Sequence, residues 1–327
     1  MRGTGLWLII SLSVLACGCC PTPPCVEGDT DGVTAGSVDI SQAPYRSTGD
    51  PYAAGPLAVR TISLDRCQAG APLPLVIYAP EVAGTYPVVV FQHGFLSRNI
   101  EYSEILSHLA GHGFVVVAPQ MYEPGLAVLL GNPTAAEEAV WAADVVDWVR
   151  TGLAAVVGGS VRTDLLGLAG HSRGGKVVWL EMLAAPARAT AFAGVDPVDD
   201  TGGPLGNQPH AIQGPLPFSL PALIIGTGMG GSCAPEGENH VKYYDACQSP
   251  AWHVVAPDYG HGDMLDEDYA AAAALICPSG SNRSAMRQLT GGLLVAFFRA
   301  SLQGDEQAYN YLTDAAAAPV RVEIESK

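Results

Sequence analysis

The amino-acid sequence predicts an α/β fold built on a mostly parallel, eight-stranded sheet with helices on both faces. Short apolar runs alternate along the chain with segments of helical spacing, a pattern typical of strands joined by crossover helices. The runs at 88–91 and 114–117 are continuously apolar and rich in valine, as expected of strands buried on both faces. With 327 residues, 48% of them hydrophobic, the chain is long enough for one large domain with a full core.

The first 20 residues are expected to be an export signal. Arg2 supplies a positive end, and residues 6–16 form an apolar stretch that is too short to span a bilayer. A small residue followed by cysteine suggests a bacterial lipoprotein signal, with Cys17 or Cys19 acylated as a membrane tether; plain secretion is the alternative. Residues 21–56 are rich in Pro, Gly, Asp, Ser and Thr, so we expect a flexible tether there and a folded domain at 57–327.

The order of the predicted elements follows from their spacing and composition. Strands are expected at 57–64 and 73–78, as an antiparallel opening pair, and then at 88–91, 114–117, 165–168, 191–195, 222–225 and 252–255. Helices are expected at 100–112, 134–149, 176–183 and 283–302. Thr134 and Glu137 fit a capping box at the start of the second of these helices.

The charge of the chain excludes one class of partner. The sequence has 32 acidic and 16 basic residues and a net charge of -16. It contains no basic patch and no interleaving of basic and aromatic residues, so we expect no nucleic-acid partner. A soluble, acidic surface suits an exported protein.

Four cysteines lie in the predicted domain, and their even number suggests two disulfides in an exported chain. Cys233 and Cys247 are close in sequence and are expected to pair, which leaves Cys67 with Cys277. Free buried thiols are the alternative. No Cys-x-x-Cys spacing and no H-E-x-x-H motif occurs, so we expect neither a metal site nor a cofactor.

A G-x-S-x-G motif centred on Ser172 lies between the predicted strand at 165–168 and the helix at 176–183. In this context the serine occupies a sharp, strained turn that exposes its hydroxyl, and the flanking glycines leave room for neighbouring backbone. The following helix N-terminus directs a positive dipole end at the reacting centre. We therefore predict that Ser172 is a nucleophile and that the sheet belongs to an α/β-hydrolase fold; an ordinary turn in a Gly-rich chain is the alternative.

A nucleophilic serine needs a histidine base and a carboxylate that orients it. Asp196 directly follows the strand at 191–195 and is the first choice for the acid, while Glu236 and Glu238, in a longer loop, are second. His261 follows the last predicted strand between two glycines and is the best candidate base. The resulting chain order of Ser, Asp and His is the one found in α/β-hydrolases.

The loop after the strand at 88–91 is expected to complete an oxyanion hole. Its donors are predicted to be the backbone N–H groups of Phe95 and Arg173, with His93 orienting the loop. Residues that follow the relevant strands are candidates for an apolar substrate pocket, although ordinary loop packing is an equal alternative. These candidates are Leu96, Met121, Tyr122, Pro197, Val198 and Met264.

Taken in order, the motifs resemble those of chlorophyllases, serine esterases that remove phytol from chlorophyll. They are Gly-Phe-Leu-Ser-Arg-Asn at 94–99, Gly-His-Ser-Arg-Gly-Gly at 170–175, Asp-Pro-Val-Asp at 196–199 and Asp-Tyr-Gly-His at 258–261. The resemblance covers roughly residues 75–305; the first 56 residues depart from the plant enzymes.

The resemblance implies that Ser172, Asp196 and His261 form a catalytic triad that hydrolyses the phytyl ester of chlorophyll to chlorophyllide and phytol. A broad-specificity lipase, a cutinase-like enzyme or a polyester esterase on the same triad is the nearest alternative. A non-catalytic binding protein on a hydrolase scaffold is an alternative of a different class. No cofactor is implied, and the expected partner is a small apolar ester.

Overall fold

A computed structural model describes residues 43–130, 133–158, 161–201 and 209–327. These residues contain a nine-stranded sheet in the order β1-β2-β4-β3-β5-β6-β7-β8-β9. The strands are β1 (Val59–Leu64), β2 (Leu75–Pro80), β3 (Tyr86–Gln92), β4 (Val115–Pro119), β5 (Val161–His171), β6 (Ala191–Val195), β7 (Ala222–Met229), β8 (Ala251–Gly260) and β9 (Glu323–Ser326).

The sheet confirms the predicted class but has one strand more than the eight predicted. Strands β3 to β8 pair in parallel, and the predicted opening pair, β1 and β2, is antiparallel. The additional strand is β9, which pairs antiparallel with β8 at the edge of the sheet. Only the isoleucine of its sequence, Glu-Ile-Glu-Ser, is partly buried, and the other three residues are exposed. An exposed edge strand needs no apolar run, so hydrophobic periodicity could not reveal β9.

The helices cover both faces of this sheet. They are α1 (Ser103–Gly111), α2 (Leu126–Leu129), α3 (Ala135–Thr151), α4 (Leu153–Val157), α5 (Arg173–Ala184), α6 (His240–Ala246), α7 (Glu267–Ala273) and α8 (Arg283–Leu302). Helices α3 and α5 pack in one apolar cluster and α1 and α8 in another. Successive residues of β3 alternate between the two clusters, Val88 and Val90 facing one and Val89 and Phe91 the other. Its continuous valine run therefore reflects burial on both faces.

The predicted helices agree with the structure, with small shifts at their ends. Helix α8 has the predicted bounds, and α3 opens with the predicted capping box of Thr134 and Glu137. The helix predicted at 100–112 begins as a 3₁₀ turn, Asn99–Tyr102, that leads into α1. Within the described part of the chain, no helix combines the length and apolarity needed to cross a bilayer.

The described part of the predicted tether, residues 43–56, lies against the domain. The Tyr45 N–H donates to the Thr85 carbonyl at 2.8 Å, and Ser47 Oγ lies 2.8 Å from His112 Nδ1. Tyr52 is buried against Gly292 of α8, where a Cβ would come within 2.1 Å of its ring. Residues 1–42, with the predicted signal and Cys17, lie outside the described residues.

The predicted cysteine pairs are both wrong. Cys233 bonds Cys277 across 44 residues, with 5.7 Å between their Cα atoms. Cys247 is a free, buried thiol at the end of α6, and burial raises its pKa to about 12. Cys67 is disulfide-bonded, but to neither Cys277 nor Cys247. Proximity in sequence was misleading because the loop after β7 meets the segment after α7 in space.

Candidate active site

Ser172 lies at the turn between β5 and α5 with φ 56° and ψ -122°, a conformation that is strained for a residue with a side chain. The neighbouring glycines are required by close packing. A Cβ on Gly170 would lie 2.4 Å from the carbonyl carbon of Gly174, and one on Gly174 would lie 2.3 Å from the Gln92 carbonyl oxygen. The G-x-S-x-G motif therefore forms the predicted strand-to-helix elbow.

The structure brings the three predicted residues into one hydrogen-bonded row. Ser172 Oγ lies 2.8 Å from His261 Nε2, and His261 Nδ1 lies 2.6 Å from Asp196 Oδ2. Each residue directly follows the last residue of a parallel strand, namely β5, β8 and β6. The carboxyl ends of parallel strands share one edge of the sheet, which is where ligands bind in such folds.

Asp196 is fully buried, and its carboxylate accepts three hydrogen bonds. Thr227 donates its backbone N–H to Oδ1 at 2.9 Å and its hydroxyl to Oδ2 at 3.0 Å, beside the bond from His261. Burial by itself would raise the pKa of Asp196, but the hydrogen bond and charge of His261 outweigh burial and lower the pKa. The carboxylate is therefore ionised at neutral pH and can hold the Nδ1–H tautomer of His261.

Asp263 holds the loop that carries His261. It is fully buried and accepts the N–H groups of Gly260 and Gly280, both at 2.7 Å, and the Ser279 hydroxyl at 2.5 Å. The segment 278–280 that it binds directly follows Cys277, so the disulfide with Cys233 braces the same region. The loop after β8 is thus fixed by buried hydrogen bonds and a covalent cross-link.

Two hydrogen bonds to the Gly94 carbonyl fix the orientation of the peptide between Gly94 and Phe95. The Gly94 carbonyl accepts from His93 Nδ1–H at 2.9 Å and from the Tyr122 hydroxyl at 3.2 Å. Burial lowers the pKa of His93 to about 4, so its ring is neutral, and Nε2 accepts the Met121 N–H at 3.0 Å. In a trans peptide the N–H points opposite to the carbonyl. These two donors therefore set the direction of the Phe95 N–H, the first predicted oxyanion donor.

The second predicted oxyanion donor is the backbone N–H of Arg173, a residue that also lines the cleft beside Ser172. The guanidinium is buried, forms an ion pair with Glu138 and lies over the rings of Phe95 and Tyr122, at 5.4 and 5.8 Å from their centroids. Burial raises the pKa of Glu138 to about 7, and Arg173 partly offsets that rise. Sequence reasoning missed this pair, although Glu138 occurs on the buried stripe of α3 with Ala135 and Ala142.

The six predicted pocket residues occupy different environments. Val198 lines a small cleft beside Ser172, together with Phe95, Arg173 and the segment 199–201. Met264 is fully buried, and Met121 and Pro197 are also buried. Leu96 and Tyr122 are partly exposed. Among the six, Val198 therefore lines the cleft beside Ser172, whereas Met121, Pro197 and Met264 do not.

Asp199 is fully buried and is surrounded by cationic and N–H partners. Its carboxylate lies 3.4 Å from Lys176 Nζ and 2.8 Å from Lys242 Nζ, and it accepts the Ala211 N–H at 2.7 Å. Asp199, His210 and Glu238 could share a metal ion, but Lys242 Nζ lies 2.8 Å from both carboxylates. The ammonium groups of Lys242 and Lys176 together already balance the charge of the two carboxylates. Glu238, the second choice for the acid, lies here and not against His261.

Comparison with known proteins places the chain among the chlorophyllases. The chlorophyllase family model matches residues 47–327. Chlorophyllase-2 of Arabidopsis thaliana is 36% identical over 285 residues, which covers 80% of this chain and 87% of the relative. Chlorophyllase-1 of the same plant is 36% identical, covering 77% and 83%. The chloroplastic chlorophyllase-1 of Citrus unshiu is 33% identical over 313 residues, covering 90% and 93%.

The family match spans nearly all of the described domain, and the relatives align over most of their own length. The sheet order and the strand-to-helix elbow are those expected of an α/β-hydrolase. The chain therefore belongs to the chlorophyllase family, whose members are carboxylic ester hydrolases of the α/β-hydrolase fold.

Proposed function

We propose that this protein hydrolyses the phytyl ester of chlorophyll to chlorophyllide and phytol, with Ser172 as nucleophile, His261 as base and Asp196 as its partner. The observation that carries the proposal is the row of hydrogen bonds from Ser172 Oγ to His261, 2.8 Å, and from His261 to Asp196, 2.6 Å, in a chain of this family.

In the first step Ser172 Oγ attacks the ester carbonyl carbon while its proton passes to His261 Nε2. The carbonyl oxygen becomes an oxyanion, and the N–H groups of Phe95 and Arg173 donate to it. Asp196 stabilises the imidazolium that forms. His261 then gives its proton to the alcohol oxygen, the carbon–oxygen bond breaks, and phytol leaves an acyl-serine behind.

In the second step a water molecule attacks the acyl-serine, and His261 takes the proton of that water. A second oxyanion forms on the same two N–H groups. Its collapse releases the carboxylic acid product, chlorophyllide, and His261 returns the proton to Ser172 Oγ. Every proton transfer in both steps uses His261 Nε2.

The choice of alcohol rests on the family and on the cleft. The relatives described above are named as chlorophyllases. Apolar side chains of Phe95 and Val198 flank Ser172, as suits a hydrocarbon alcohol. The alternative is a lipase, cutinase-like enzyme or polyester esterase that uses the same triad. Both functions share the chemistry and differ in the ester that the cleft accepts.

A paired assay separates these alternatives. The purified protein is incubated with chlorophyll a and with p-nitrophenyl esters of increasing chain length, beside Ser172→Ala. The control is Ser301→Ala, because Ser301 lies in α8 and its hydroxyl is hydrogen-bonded to that of Tyr309. Chlorophyllide release that is lost only in Ser172→Ala supports the full proposal. Ester cleavage without chlorophyllide selects the general esterase. Activity that persists in Ser172→Ala refutes the nucleophile.

We also propose that residues 1–20 are an export signal, with Cys17 or Cys19 as the candidate for lipidation. The proposal rests on the apolar stretch at 6–16 and the small residue before Cys17. Mass spectrometry of the protein recovered from a bacterial host tests this. A mature chain that begins at Cys17 and carries acyl mass supports the tether, cleavage without added mass indicates plain secretion, and an intact N-terminus contradicts export.

A further inference from the structure

We propose that Tyr102 and His171 are positioning residues that couple the oxyanion loop to the loop of the catalytic base. The inference rests on the proposed function, because it assigns roles relative to Ser172, His261 and the Phe95 N–H. Neither residue touches the reacting atoms in the proposed mechanism. Both act through hydrogen bonds to backbone groups: Tyr102 binds the oxyanion loop at Gly94, and His171 binds the carbonyl of His261.

The ring of His171 is buried and both of its nitrogens have partners. Nε2 lies 2.9 Å from the carbonyl oxygen of His261, and Nδ1 lies 2.9 Å from the hydroxyl of Tyr102. A carbonyl only accepts, so Nε2 must carry the proton. Burial lowers the pKa of His171 to about 3, with the nearby His261 acting in the same direction, so the ring is neutral. Nδ1 is therefore an acceptor.

The hydroxyl of Tyr102 completes the connection to the oxyanion loop. It is fully buried, and it accepts the Gly94 N–H at 3.0 Å. Since His171 Nδ1 carries no proton, the Tyr102 hydroxyl donates to it. The bonds thus run from Gly94 N–H to Tyr102, from Tyr102 O–H to His171, and from His171 Nε2–H to His261. The direction of each bond is fixed by its neighbours, and such chains are mutually strengthening.

This connection joins loops whose strands are not neighbours in the sheet. The oxyanion loop follows β3 and the elbow follows β5, which is its neighbour, but the His261 loop follows β8, three strands beyond β5. Because β5 and β8 do not pair with each other, contacts between their loops contribute to placing His261 over Ser172. The ring of His171 lies 4.7 Å from the ring of His261, centroid to centroid, and binds its carbonyl.

The packing around Gly94 shows how closely these groups meet. A Cβ on Gly94 would lie 3.0 Å from His171 Nδ1, 3.2 Å from the Tyr102 hydroxyl and 3.3 Å from Ser172 Cβ. A side chain at this position would be in tight contact with all three groups, so the oxyanion loop packs closely on them. A shift of Tyr102 or His171 would therefore move the Gly94–Phe95 peptide relative to Ser172.

Tyr102→Phe tests the proposal because it removes one hydroxyl and keeps the ring. It leaves the Gly94 N–H and His171 Nδ1 unpaired in the interior. We expect kcat on p-nitrophenyl butyrate to fall about 10-fold or more with KM nearly unchanged, since misplacing reacting groups by ~1 Å can cost about 100-fold. The matched control is Tyr243→Phe: Tyr243 is also fully buried, and its hydroxyl has no hydrogen-bond partner among the described residues.

A second pair of variants keeps the test decisive should Tyr102→Phe fail to fold. His171→Gln retains an N–H that can reach the His261 carbonyl, whereas His171→Phe retains none, so we expect Gln to keep more of kcat than Phe. The double variant of Tyr102 and His171 to Phe should lose little more than the worse single one, because one chain of bonds is broken in each. Wild-type kcat in Tyr102→Phe or His171→Phe, or a loss confined to KM, overturns the coupling.

The failure of the coupling is distinguishable from failure of the proposed function. A Ser172→Ala variant that still turns over the ester refutes the function itself. An inactive Ser172→Ala beside fully active variants of Tyr102 and His171 refutes only the coupling.

Discussion

Replacing Asp196 by asparagine would reverse the tautomer of His261 without changing the shape of the site. The Thr227 N–H donates to Oδ1 at 2.9 Å, whereas Oδ2 lies 2.6 Å from His261 Nδ1. An asparagine therefore places its amide oxygen toward the Thr227 N–H and its NH₂ toward His261, where the Thr227 hydroxyl can turn from donor to acceptor. In the opposite orientation the NH₂ would face the Thr227 N–H, and neither donor would have an acceptor. An unsatisfied buried group of this kind costs about 1–3 kcal/mol.

In the favoured orientation His261 Nδ1 must accept, so its proton moves to Nε2, which can no longer take the proton of Ser172. The corresponding change in a Ser-His-Asp hydrolase lowers kcat by about 10,000-fold, or ~5 kcal/mol in the barrier at about 1.4 kcal/mol per tenfold. Steady-state kinetics on a soluble p-nitrophenyl ester measure the effect. We expect the loss in kcat and little change in KM. A loss below tenfold, or one confined to KM, would refute the assigned role of Asp196.

The same carboxylate makes stability depend on pH. Burial opposes ionisation, but the hydrogen bond and charge of His261 hold the pKa of Asp196 below its usual value of 3.8. A group with a lowered folded-state pKa stabilises the fold above its ordinary pKa, and that contribution is lost as pH falls through the lowered value. Wild type should therefore lose more stability than Asp196→Asn between about pH 5 and about pH 3 in urea unfolding. Parallel losses in the two proteins would contradict this.

Three further predictions concern the surroundings of the site. Tyr122→Phe removes one of the two donors on the oxyanion peptide, and we expect kcat to fall about 3- to 10-fold, the equivalent of one hydrogen bond, in the same ester assay; an unchanged kcat would show that His93 alone suffices. Glu138→Ala leaves the Arg173 guanidinium buried without its carboxylate partner. It should lower the free energy of unfolding, measured in urea, by about 3–5 kcal/mol; a negligible change would show that the ion pair is dispensable. Cys233→Ser opens the cross-link over 44 residues and should lower the free energy of unfolding by about 4 kcal/mol from loop entropy; a midpoint equal to wild type would contradict it.

Several elements could be predicted because their signals are local. The bounds of α8 and the capping box of α3 follow from helical spacing and from a Thr-x-x-Glu pattern within one turn. Ser172 was identified from a motif of five consecutive residues between a strand and a helix. The edge strand β9 escaped because an exposed Glu-Ile-Glu-Ser segment carries no apolar period.

Relations between distant loops could not be predicted in the same way. Cys233 pairs with Cys277 rather than with Cys247, because the loop after β7 and the segment after α7 meet only in the folded chain. The ring of His171 binds Tyr102 and the carbonyl of His261, which lies 90 residues further along the chain. No pattern near these residues in sequence encodes such contacts.

The sequence by itself determined the fold class, the family and the positions at which reactive side chains follow strands. Periodicity and turn chemistry depend on neighbours within a few residues, so they are readable along the chain. The tertiary structure decided which of those positions meet: it placed Asp196, and not Glu238, against His261, and it closed the buried Arg173–Glu138 pair beside the cleft. The physical reason is that these contacts depend on the order of strands in the sheet and on the burial of charge, neither of which a local pattern contains.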